Sequence, residues 1–381
     1  MDKTINILSV NMSIDPVSSG GTGERTLQMS KALAKSGSAC SILTLDIGNL
    51  EPVKQDLMAN GVNVETLACW SRRFYIPSLN LVKIFRVIKR ADIIHLMGHW
   101  TVLNAIVYWV ARLLGKPYVV CPAGALPLFG RSQTFKKVYN WVIGRRIIRN
   151  ASAFIAITDD EKDQFLPYGV NPDHIQIVNN GINPQDFSSQ DVAGIRARHG
   201  LEKKPFILFV GRLNLIKGPD LLLEAYKQLG DRIGHYDLVF VGPDGGMREE
   251  LVEASKRMGH PANIFFIGYL GGKDKSDIYH AAEFLVIPSR QEAMSIVVLE
   301  AGICKTAVLL TRACGFDEVA EVGGGVVVDA EVESLKAGLL EMSQRDDLKQ
   351  MGEQLHRFVT ENYTWADVGK KLERVLRVNV N

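Results

Sequence analysis

The sequence predicts an α/β protein built from two doubly wound parallel-sheet domains, and three observations support this class. The 381 residues are enough to form two hydrophobic cores. Short apolar runs alternate with helical patterns nearly throughout, which is typical of parallel sheets covered by helices on both faces. The alternation is interrupted once, by a turn-forming stretch from Asn180 to Pro184 and the polar residues 185–190. We therefore expect one domain at residues 1–183 and a second at residues 184–364.

The predicted strands form two series, one on each side of that interruption. The first series is Thr4–Val10, Cys40–Leu45, Asp92–Leu96, Pro117–Cys121, Ala153–Ile157 and Ile175–Val178. The second is Pro205–Val210, Asp237–Val241, Asn263–Ile267, Phe284–Ile287 and Ala307–Leu310. The clearest helical segments between strands are Thr22–Ser36, Ser78–Arg90 and Asp220–Gln228. In such folds ligands bind beyond the carboxyl ends of strands, so functional residues are expected in the loops that follow them.

Composition and cysteine spacing indicate a cytoplasmic protein. The N-terminus leads directly into an apolar strand, without the pattern of a signal peptide. The most membrane-like stretch, Ala105–Leu114, contains Arg112 and is too short to span a bilayer. The five cysteines are scattered and never in CxxC spacing. This pattern predicts reduced thiols, and neither structural zinc nor a disulfide framework.

Positive charge is concentrated in one part of the chain. The net charge is only +2, but residues 66–158 contain 14 basic side chains and a single acid, Asp92. Helix 78–90 is predicted to place Leu81, Ile84, Phe85 and Ile88 on one face and Lys83, Arg86 and Arg90 on the other, whereas residues 136–149 have their charges spread around the helix. Such a region suits an anionic partner. We expect peripheral contact with the anionic inner face of the plasma membrane, with a merely solvated basic face as the alternative, and no nucleic-acid binding, because no known module is present.

The first domain offers a glycine-rich loop and two histidines after its strands. Gly20 and Gly21 precede the first helix, where backbone N–H groups at a helix N-terminus can bind phosphate. The stretch is not GxGxxG, so a flexible connector remains the alternative. His95 lies inside a strand and is predicted to be a core residue, whereas His99, beyond the strand end, is predicted to contact a ligand.

The acidic residues that follow the strand at 153–157 receive a structural interpretation. Thr158 and Glu161 have the spacing of a helix capping box, with acids in the first turn where the helix dipole favours them. No Asp-x-Asp occurs in the chain. Metal-dependent diphosphate chemistry is therefore not expected, and no residue is assigned to a metal.

The second domain opens with a strand that ends at Gly211 and is followed by Arg212, Lys217 and Gly218. Two fixed cations beside a helix N-terminus form a strong diphosphate site that needs no metal. Gly242 repeats the strand-then-glycine pattern after the next strand.

Two carboxylates, Glu292 and Glu300, lie eight positions apart near the end of the domain. Glu300 is surrounded by apolar neighbours, so its carboxylate is expected to be partly buried and to need hydrogen-bond donors. Those donors are either protein groups or hydroxyls of a ligand.

Taken together, these stretches resemble the family 4 retaining glycosyltransferases of the group 1 type. The glycine pair, the Asn-Gly at the predicted boundary, the Arg/Lys loop and the Glu/Glu pair occur in the family's order across nearly the whole chain. The resemblance implies the GT-B fold, with two facing Rossmann-like domains and a cleft between them. Residues from Trp365 onward resemble the family's terminal helix, so 365–381 are assigned to the first domain.

The resemblance also implies the reaction. A sugar is transferred with retained configuration from a nucleotide diphosphate sugar, UDP- or GDP-linked, and no metal or other cofactor is expected. The expected acceptor is a saccharide or lipid-linked intermediate of cell-surface polysaccharide synthesis.

The family's residue roles are carried over position by position. Arg212 and Lys217 would hold the diphosphate, Glu292 would contact sugar hydroxyls, and Glu300 would accept hydrogen bonds from the ribose. Further donor contacts are expected from the backbone of Gly20, Gly21, Gly211, Gly242, Ala293, Met294, Ser295 and Ile296. Many members have a sugar-contacting histidine where this chain has Met97, so His99 is assigned that role and joins the candidate catalytic residues.

Two other functions remain open on the sequence alone. A nucleotide-sugar 2-epimerase shares the two-domain architecture, although the Arg212 and Lys217 loop argues against it. A non-catalytic nucleotide-sugar binding protein would bind the donor without transferring or hydrolysing it.

Overall fold

The computed structural model describes residues 4–17, 19–71, 75–128, 133–257 and 263–380. Internal contacts divide the chain into two units. Unit 1 comprises Met1–Asn180 together with Trp365–Asn381, and unit 2 comprises Gly181–Thr364. The division after residue 180 lies three positions before the predicted boundary at 183, and the C-terminal helix belongs to unit 1.

Unit 1 contains one eight-stranded sheet. Its strands are β1 (Asn6–Val10), β2 (Ala39–Asp46), β3 (Val62–Ser71), β4 (Ile76–Pro77), β5 (Ile93–Met97), β6 (Tyr118–Cys121), β7 (Ala153–Ala156) and β8 (Ile175–Ile177). The strand order is β4-β3-β2-β1-β5-β6-β7-β8, and every pair is parallel except β3 with β4. Parallel neighbours require crossover connections, which the helices provide.

The helices of unit 1 before the boundary are α1 (Gly20–Lys35), α2 (Glu51–Ala59), α3 (Leu81–Arg90), α4 (Val102–Leu113), α5 (Gln133–Tyr139) and α6 (Arg145–Arg149). A π-helical turn, Asn140–Gly144, joins the last two, and a 3-10 helix covers Asp160–Tyr168. Successive residues of β5 point to opposite faces: Ile94 and Leu96 pack with α3 and α4, whereas Ile93 and Met97 pack with α1 and α2. Both faces of the sheet are therefore buried.

Helix α3 buries only half of its predicted apolar face. Ile84 and Ile88 are fully buried, but Leu81 and Phe85 are 54% and 39% exposed. The ammonium group of Lys83 lies 2.9 Å from Glu65 Oε2, an acid just outside the basic region. The charge of Lys83 is therefore paired within the protein, whereas Arg86 and Arg90 are exposed.

Unit 2 contains a six-stranded, fully parallel sheet with the order β11-β10-β9-β12-β13-β14. Its strands are β9 (Phe206–Val210), β10 (Asp237–Val241), β11 (Ile264–Gly268), β12 (Phe284–Ile287), β13 (Val308–Thr311) and β14 (Gly325–Val328). Its helices are α7 (Val192–His199), α8 (Pro219–Leu229), α9 (Arg248–Lys256), α10 (Gly272–Ala281), α11 (Ile296–Ile303), α12 (Glu318–Glu321), α13 (Val332–Ser343) and α14 (Leu348–Asn362). Helix α15 (Trp365–Val378) then packs Trp365, Val368 and Leu372 into the core of unit 1.

Each unit has one point where the strand order reverses. In unit 1, β2 and β5 lie on opposite sides of β1, and in unit 2, β10 and β12 lie on opposite sides of β9. Loops leaving the carboxyl ends of two such strands diverge to opposite faces of the sheet and leave a crevice between them. Within the described ranges, no helix is long and apolar enough to cross a membrane.

Candidate active site

The reversal point of unit 2 brings together the two loops in which catalytic residues were predicted. The loop after β9 contains Arg212 and Lys217, and the loop after β12 contains Glu292. Lys217 Nζ lies 2.9 Å from Glu292 Oε2, although the residues are 75 positions apart in the sequence. The second carboxylate oxygen accepts a 2.5 Å hydrogen bond from Ser289 Oγ. The lysine side chain is 30% exposed and the glutamate 10%, so the pair is accessible from the lysine side.

Arg290 holds these two loops together. Its guanidinium donates to both carboxylate oxygens of Asp220, at 2.8 and 2.5 Å, in the first turn of α8. The Nη1 atom also donates to the carbonyl oxygen of Leu215 at 2.7 Å, and the Arg290 backbone N–H donates to that of Ile216 at 2.7 Å. A two-pronged arginine–carboxylate contact fixes orientation as well as distance. Arg290 therefore sets the position of the loop that presents Lys217.

Two glycines allow the close backbone packing behind this loop. A Cβ on Gly242 would lie 1.9 Å from the carbonyl oxygen of Gly211, and one on Gly218 would lie 2.0 Å from that of Pro288. Both Gly242 and Gly218 have positive φ, at +146° and +67°. Larger residues would push apart the strand ends that support the site.

Helix α11 begins directly after the Glu292 loop and points its N-terminus toward this edge of the sheet. The first N–H groups of a helix have no intrahelical partner and suit an anionic ligand. The backbone N–H of Ser295 does not fit its predicted donor contact, because it donates to the Cys314 carbonyl oxygen at 3.2 Å. The Ser295 Oγ is fully buried and has no hydrogen-bond partner in the described part of the chain.

Glu300 lies on α11 with its carboxylate held by two protein donors. Lys275 Nζ lies 2.5 Å from Oε1, and the Tyr279 hydroxyl donates to Oε2 at 2.7 Å. Lys275 and Tyr279 are four residues apart and share one face of α10. Burial and the adjacent Glu300 raise the pKa of Tyr279 well above its usual value, so its hydroxyl remains a donor. Protein groups thus supply part of the hydrogen bonding that the sequence left open, and a carboxylate that accepts about four bonds keeps capacity for a ligand.

The reversal point of unit 1 contains the predicted glycine pair. Gly20 has φ of +63° and begins α1 immediately after the N-cap residue Ser19. In the same first turn, a Cβ on Gly23 would lie 1.9 Å from Ser19 Oγ. The pair therefore lies at a helix N-terminus beyond β1, as predicted.

His99 does not fit the predicted sugar contact. Its ring is 2% exposed and packs edge-on against Trp100, Tyr139 and Tyr168. Its Nε2 lies 3.1 Å from Asn140 Oδ1. Burial lowers the pKa of His99 to about 4, so the ring is neutral at physiological pH. A neutral, enclosed ring supports the loop rather than presenting itself to a ligand.

Two neighbours of His99 belong to the core. Met97 is 1% exposed among the side chains between β5 and α1. His95 is also 1% exposed, and burial lowers its pKa to about 3. Its Nε2 has no hydrogen-bond partner within the described residues.

Glu161 has a structural role by a different geometry from the predicted capping box. Its two carboxylate oxygens accept 2.6 Å hydrogen bonds from the N–H groups of Gly124 and Ile157, which join the loops after β6 and β7. Burial raises the pKa of this carboxyl. Across the described ranges, no cluster of three or more His, Cys, Asp or Glu side chains is arranged to hold a metal.

The sequence did not identify Arg290, Lys275, Tyr279 or Arg25 as functional residues. The first three contact partners 21 to 75 positions away, which no local pattern reveals. Arg25 is 1% exposed and donates to the carbonyl oxygens of Val178 and Asn179, at 2.6 and 2.7 Å, beyond the last strand of unit 1. No sequence pattern marked Arg25, because its burial and its partners are visible only in the structure.

Two models of known protein families together match most of the chain. Residues 20–181 match the glycosyl transferase 4-like domain, and residues 191–376 match the glycosyl transferases group 1. A D-inositol 3-phosphate glycosyltransferase of Actinosynnema mirum is 29% identical over 348 residues, which cover 82% of each chain. The enzyme of the same name from Kribbella flavida is 27% identical over 345 residues, covering 81% of this chain and 80% of the relative.

Solved structures share the two-unit fold at low sequence identity. Anabaena HepE in complex with UDP-glucose aligns with a TM-score of 0.81 and 18% identity, covering 98% of this chain and 100% of that chain. WaaG, a glycosyltransferase involved in lipopolysaccharide biosynthesis, aligns with a TM-score of 0.70 and 18% identity, covering 97% and 99%. The predicted GT-B architecture, with two Rossmann-like parallel sheets, is confirmed.

Proposed function

Because the chain belongs to the glycosyltransferases of the group 1 and 4-like type, we propose that it transfers a sugar from a nucleotide diphosphate sugar with retention of configuration. The observation that carries the proposal is the contact between Lys217 and Glu292, at the carboxyl ends of two strands and beside the N-terminus of α11. It places a cation that can bind phosphate 2.9 Å from a carboxylate that can accept hydrogen bonds from sugar hydroxyls.

In this proposal Lys217 and Arg212 stabilise the leaving nucleoside diphosphate. Negative charge grows on that group as the glycosidic bond breaks, and fixed cations at that point lower the barrier. Before the donor binds, Lys217 is paired with Glu292. The diphosphate competes for the ammonium group, and Glu292 then accepts hydrogen bonds from the sugar. Two side-chain cations at the leaving group support transfer without a metal ion.

The nucleotide proposed for the donor is uridine diphosphate, with GDP as the alternative. HepE, which shares the fold, has been solved with UDP-glucose. Glu300 would accept hydrogen bonds from the ribose, with Lys275 and Tyr279 holding its carboxylate in place. The ribose hydroxyls would thus meet an oriented charged acceptor.

The proposed acceptor is anionic and belongs to cell-surface polysaccharide synthesis, as a saccharide or a lipid-linked intermediate. Relatives are named D-inositol 3-phosphate glycosyltransferases, a name that includes a phosphorylated compound, and WaaG is a glycosyltransferase involved in lipopolysaccharide biosynthesis. The 14 basic side chains and single acid of residues 66–158 in unit 1 support an anionic partner. They also support a peripheral location on the cytoplasmic face of a membrane.

Replacement of Lys217 tests the chemical part of this proposal. Lys217→Ala is expected to lower kcat for donor turnover by about 10²–10³, the usual effect of losing one transition-state donor. Turnover is measured as UDP released from a panel of UDP-sugars, with slow donor hydrolysis as the readout when no acceptor is present.

Lys203→Ala is the matched control, since Lys203 is exposed in unit 2 before β9. Its turnover should equal that of the unaltered protein. A Lys217→Ala protein with unaltered turnover would remove Lys217 from the mechanism.

A further inference from the structure

The two faces of the unit 1 sheet differ in the apolar surface they expose. Helices α3, α4 and the segment 133–149, which joins α5, the π-helical turn and α6, pack on one face of the sheet. These helices expose nine large apolar side chains outward: Leu81, Val82, Phe85, Trp109, Leu113, Phe135, Val138, Trp141 and Val142. Helices α1, α2 and α15 on the opposite face expose two, Met58 and Val378. We call the outward surface of α3, α4 and 133–149 the apolar-basic face.

Segment 133–149 is apolar on both of its sides. Tyr139, Ile143 and Ile147 are at most 8% exposed and pack into the core. On the outer side Phe135, Val138, Trp141 and Val142 are 55%, 53%, 83% and 51% exposed. Their spacing of three, six and seven positions from Phe135 places them along one helix face. A helix whose outer side contacts only water normally has polar residues on that side. The second apolar stripe therefore indicates that the outer side contacts something other than water.

The charge on the same segment has a single sign. Residues 133–149 contain five basic side chains and no acid. In the described part of the chain, none of Lys137, Arg145 and Arg146 forms a salt bridge, and all three are exposed. Helix α3 adds exposed Arg86, Lys89 and Arg90 to the same face. Exposed Trp and Phe interleaved with uniform positive charge are typical of helices that lie in the interface of an anionic bilayer.

The charge pattern decides between the two occupants that could cover such a surface. A second copy of the chain, docked symmetrically, would bring the basic residues of each face against those of the other. Like charges at close range oppose such contact. An anionic lipid surface attracts the same residues and accepts the apolar side chains between its headgroups.

We propose that the apolar-basic face of unit 1 binds anionic phospholipid bilayers, with Trp141 and its apolar neighbours inserted into the interface. The segment that inserts is hydrogen-bonded to the loop after β5: Asn140 Oδ1 lies 3.1 Å from His99 Nε2, and the Tyr139 hydroxyl donates to the Thr101 carbonyl oxygen at 3.0 Å. That loop lies at the reversal point of the unit 1 sheet. Resting on the proposed function, this contact would hold the loop after β5 at the level where the saccharide of a lipid-linked acceptor leaves the membrane.

Sedimentation with vesicles tests the proposal on the full-length chain. The unaltered protein is expected to bind vesicles of phosphatidylcholine with phosphatidylglycerol at least about tenfold more tightly than phosphatidylcholine alone. Trp141→Ser combined with Val142→Ser is expected to weaken binding to the anionic vesicles by at least about tenfold, since two large apolar side chains no longer leave water. Met58→Ser combined with Val378→Ser, on the opposite face, is the matched control and should bind as the unaltered protein does.

Three results would overturn the proposal: no binding of the unaltered protein to anionic vesicles, equal loss in both double variants, or a dimer that Trp141→Ser with Val142→Ser converts to monomer. UDP-sugar hydrolysis without vesicles is measured on every variant and should be unchanged, which verifies folding. Absence of hydrolysis and of nucleotide binding in the unaltered protein would instead count against the proposed function, whatever the vesicles show.

Discussion

Glu292, in the loop after β12, and Glu300, on α11, are two carboxylates with different surroundings. Glu292 contacts the partly exposed Lys217 and the hydroxyl of Ser289. Glu300 is 5% exposed and contacts Lys275 and Tyr279, both on α10. The first pair can be opened by a competing phosphate because its lysine faces solvent. The second is built into the packing between two helices and suits a fixed hydrogen-bond acceptor.

Glu300→Gln tests ribose recognition at this position. A hydrogen bond to a charged group contributes about 1.5–3 kcal/mol, so the unaltered protein should bind UDP about 10- to 100-fold more tightly than 2′-deoxy-UDP. Glu300→Gln should weaken UDP binding and bring the two affinities within about threefold of each other. Calorimetric titration measures both.

Lys273→Met, on an exposed position of α10, is the matched control and should keep the discrimination. If Glu300→Gln discriminates between the two nucleotides as strongly as the unaltered protein, Glu300 does not read the ribose. A melting temperature accompanies each titration, because Glu300 is buried and its replacement leaves the partly exposed Lys275 without an ionised partner.

At the scale of elements, the site of unit 2 depends on two loops fixed by one arginine. The loop after β9 supplies Lys217, the loop after β12 supplies Glu292, and Arg290 binds Asp220 and the Leu215 carbonyl oxygen. Glycines at 218 and 242 allow the backbones to meet behind them. The two loops are therefore joined by direct hydrogen bonds, and they position the side chains proposed for catalysis.

Arg290→Ala is expected to lower kcat about tenfold while changing nucleotide affinity less than threefold, because Lys217 loses its position rather than its charge. The decisive comparison is a double-mutant cycle. In a protein that already carries Lys217→Ala, adding Arg290→Ala should lower kcat little further, since both changes act through the same ammonium group. Fully additive losses would show that Arg290 acts elsewhere.

Sequence patterns predicted strands with continuous apolar runs, and they missed strands whose runs are interrupted by polar residues or preceded by glycines. Phe284–Ile287 and Asp237–Val241 were predicted to the residue because fully buried parallel strands are continuously apolar. Val62–Ser71 was missed, since polar residues such as Asn63 and Glu65 interrupt it near the sheet edge. Gly325–Val328 was missed because two glycines precede it and a third is its first residue.

The candidate site was predictable where its residues follow strands and unpredictable where they act across the fold. Arg212, Lys217 and Glu292 follow strand ends, and the structure brings Lys217 and Glu292 into contact. Lys275 on α10 reaches Glu300 on α11, a pairing that depends on how two helices pack. His99 was assigned to the ligand because it follows a strand, but the aromatic rings that enclose it come from residues up to 69 positions away.

At the scale of the whole molecule, chemistry and charge are divided between the two units. Unit 2 contains the cation and carboxylate groups proposed for the donor, and unit 1 contains the concentrated positive charge and the exposed apolar side chains. The family matches follow nearly the same division, with one on residues 20–181 and the other on 191–376, which also includes most of α15 of unit 1. Each unit can therefore be tested by its own readout, nucleotide binding for unit 2 and vesicle binding for unit 1.

The central claim is retaining transfer from a nucleotide diphosphate sugar, and the anomer released on donor hydrolysis tests it most directly. The unaltered protein is incubated with UDP-glucose, UDP-galactose, UDP-N-acetylglucosamine and GDP-mannose, and the free sugar is followed by proton NMR before its anomers equilibrate. We predict that one of these α-linked donors is consumed and that the α-anomer appears first. Initial release of the β-anomer, or no binding and no hydrolysis of any donor, would contradict the account.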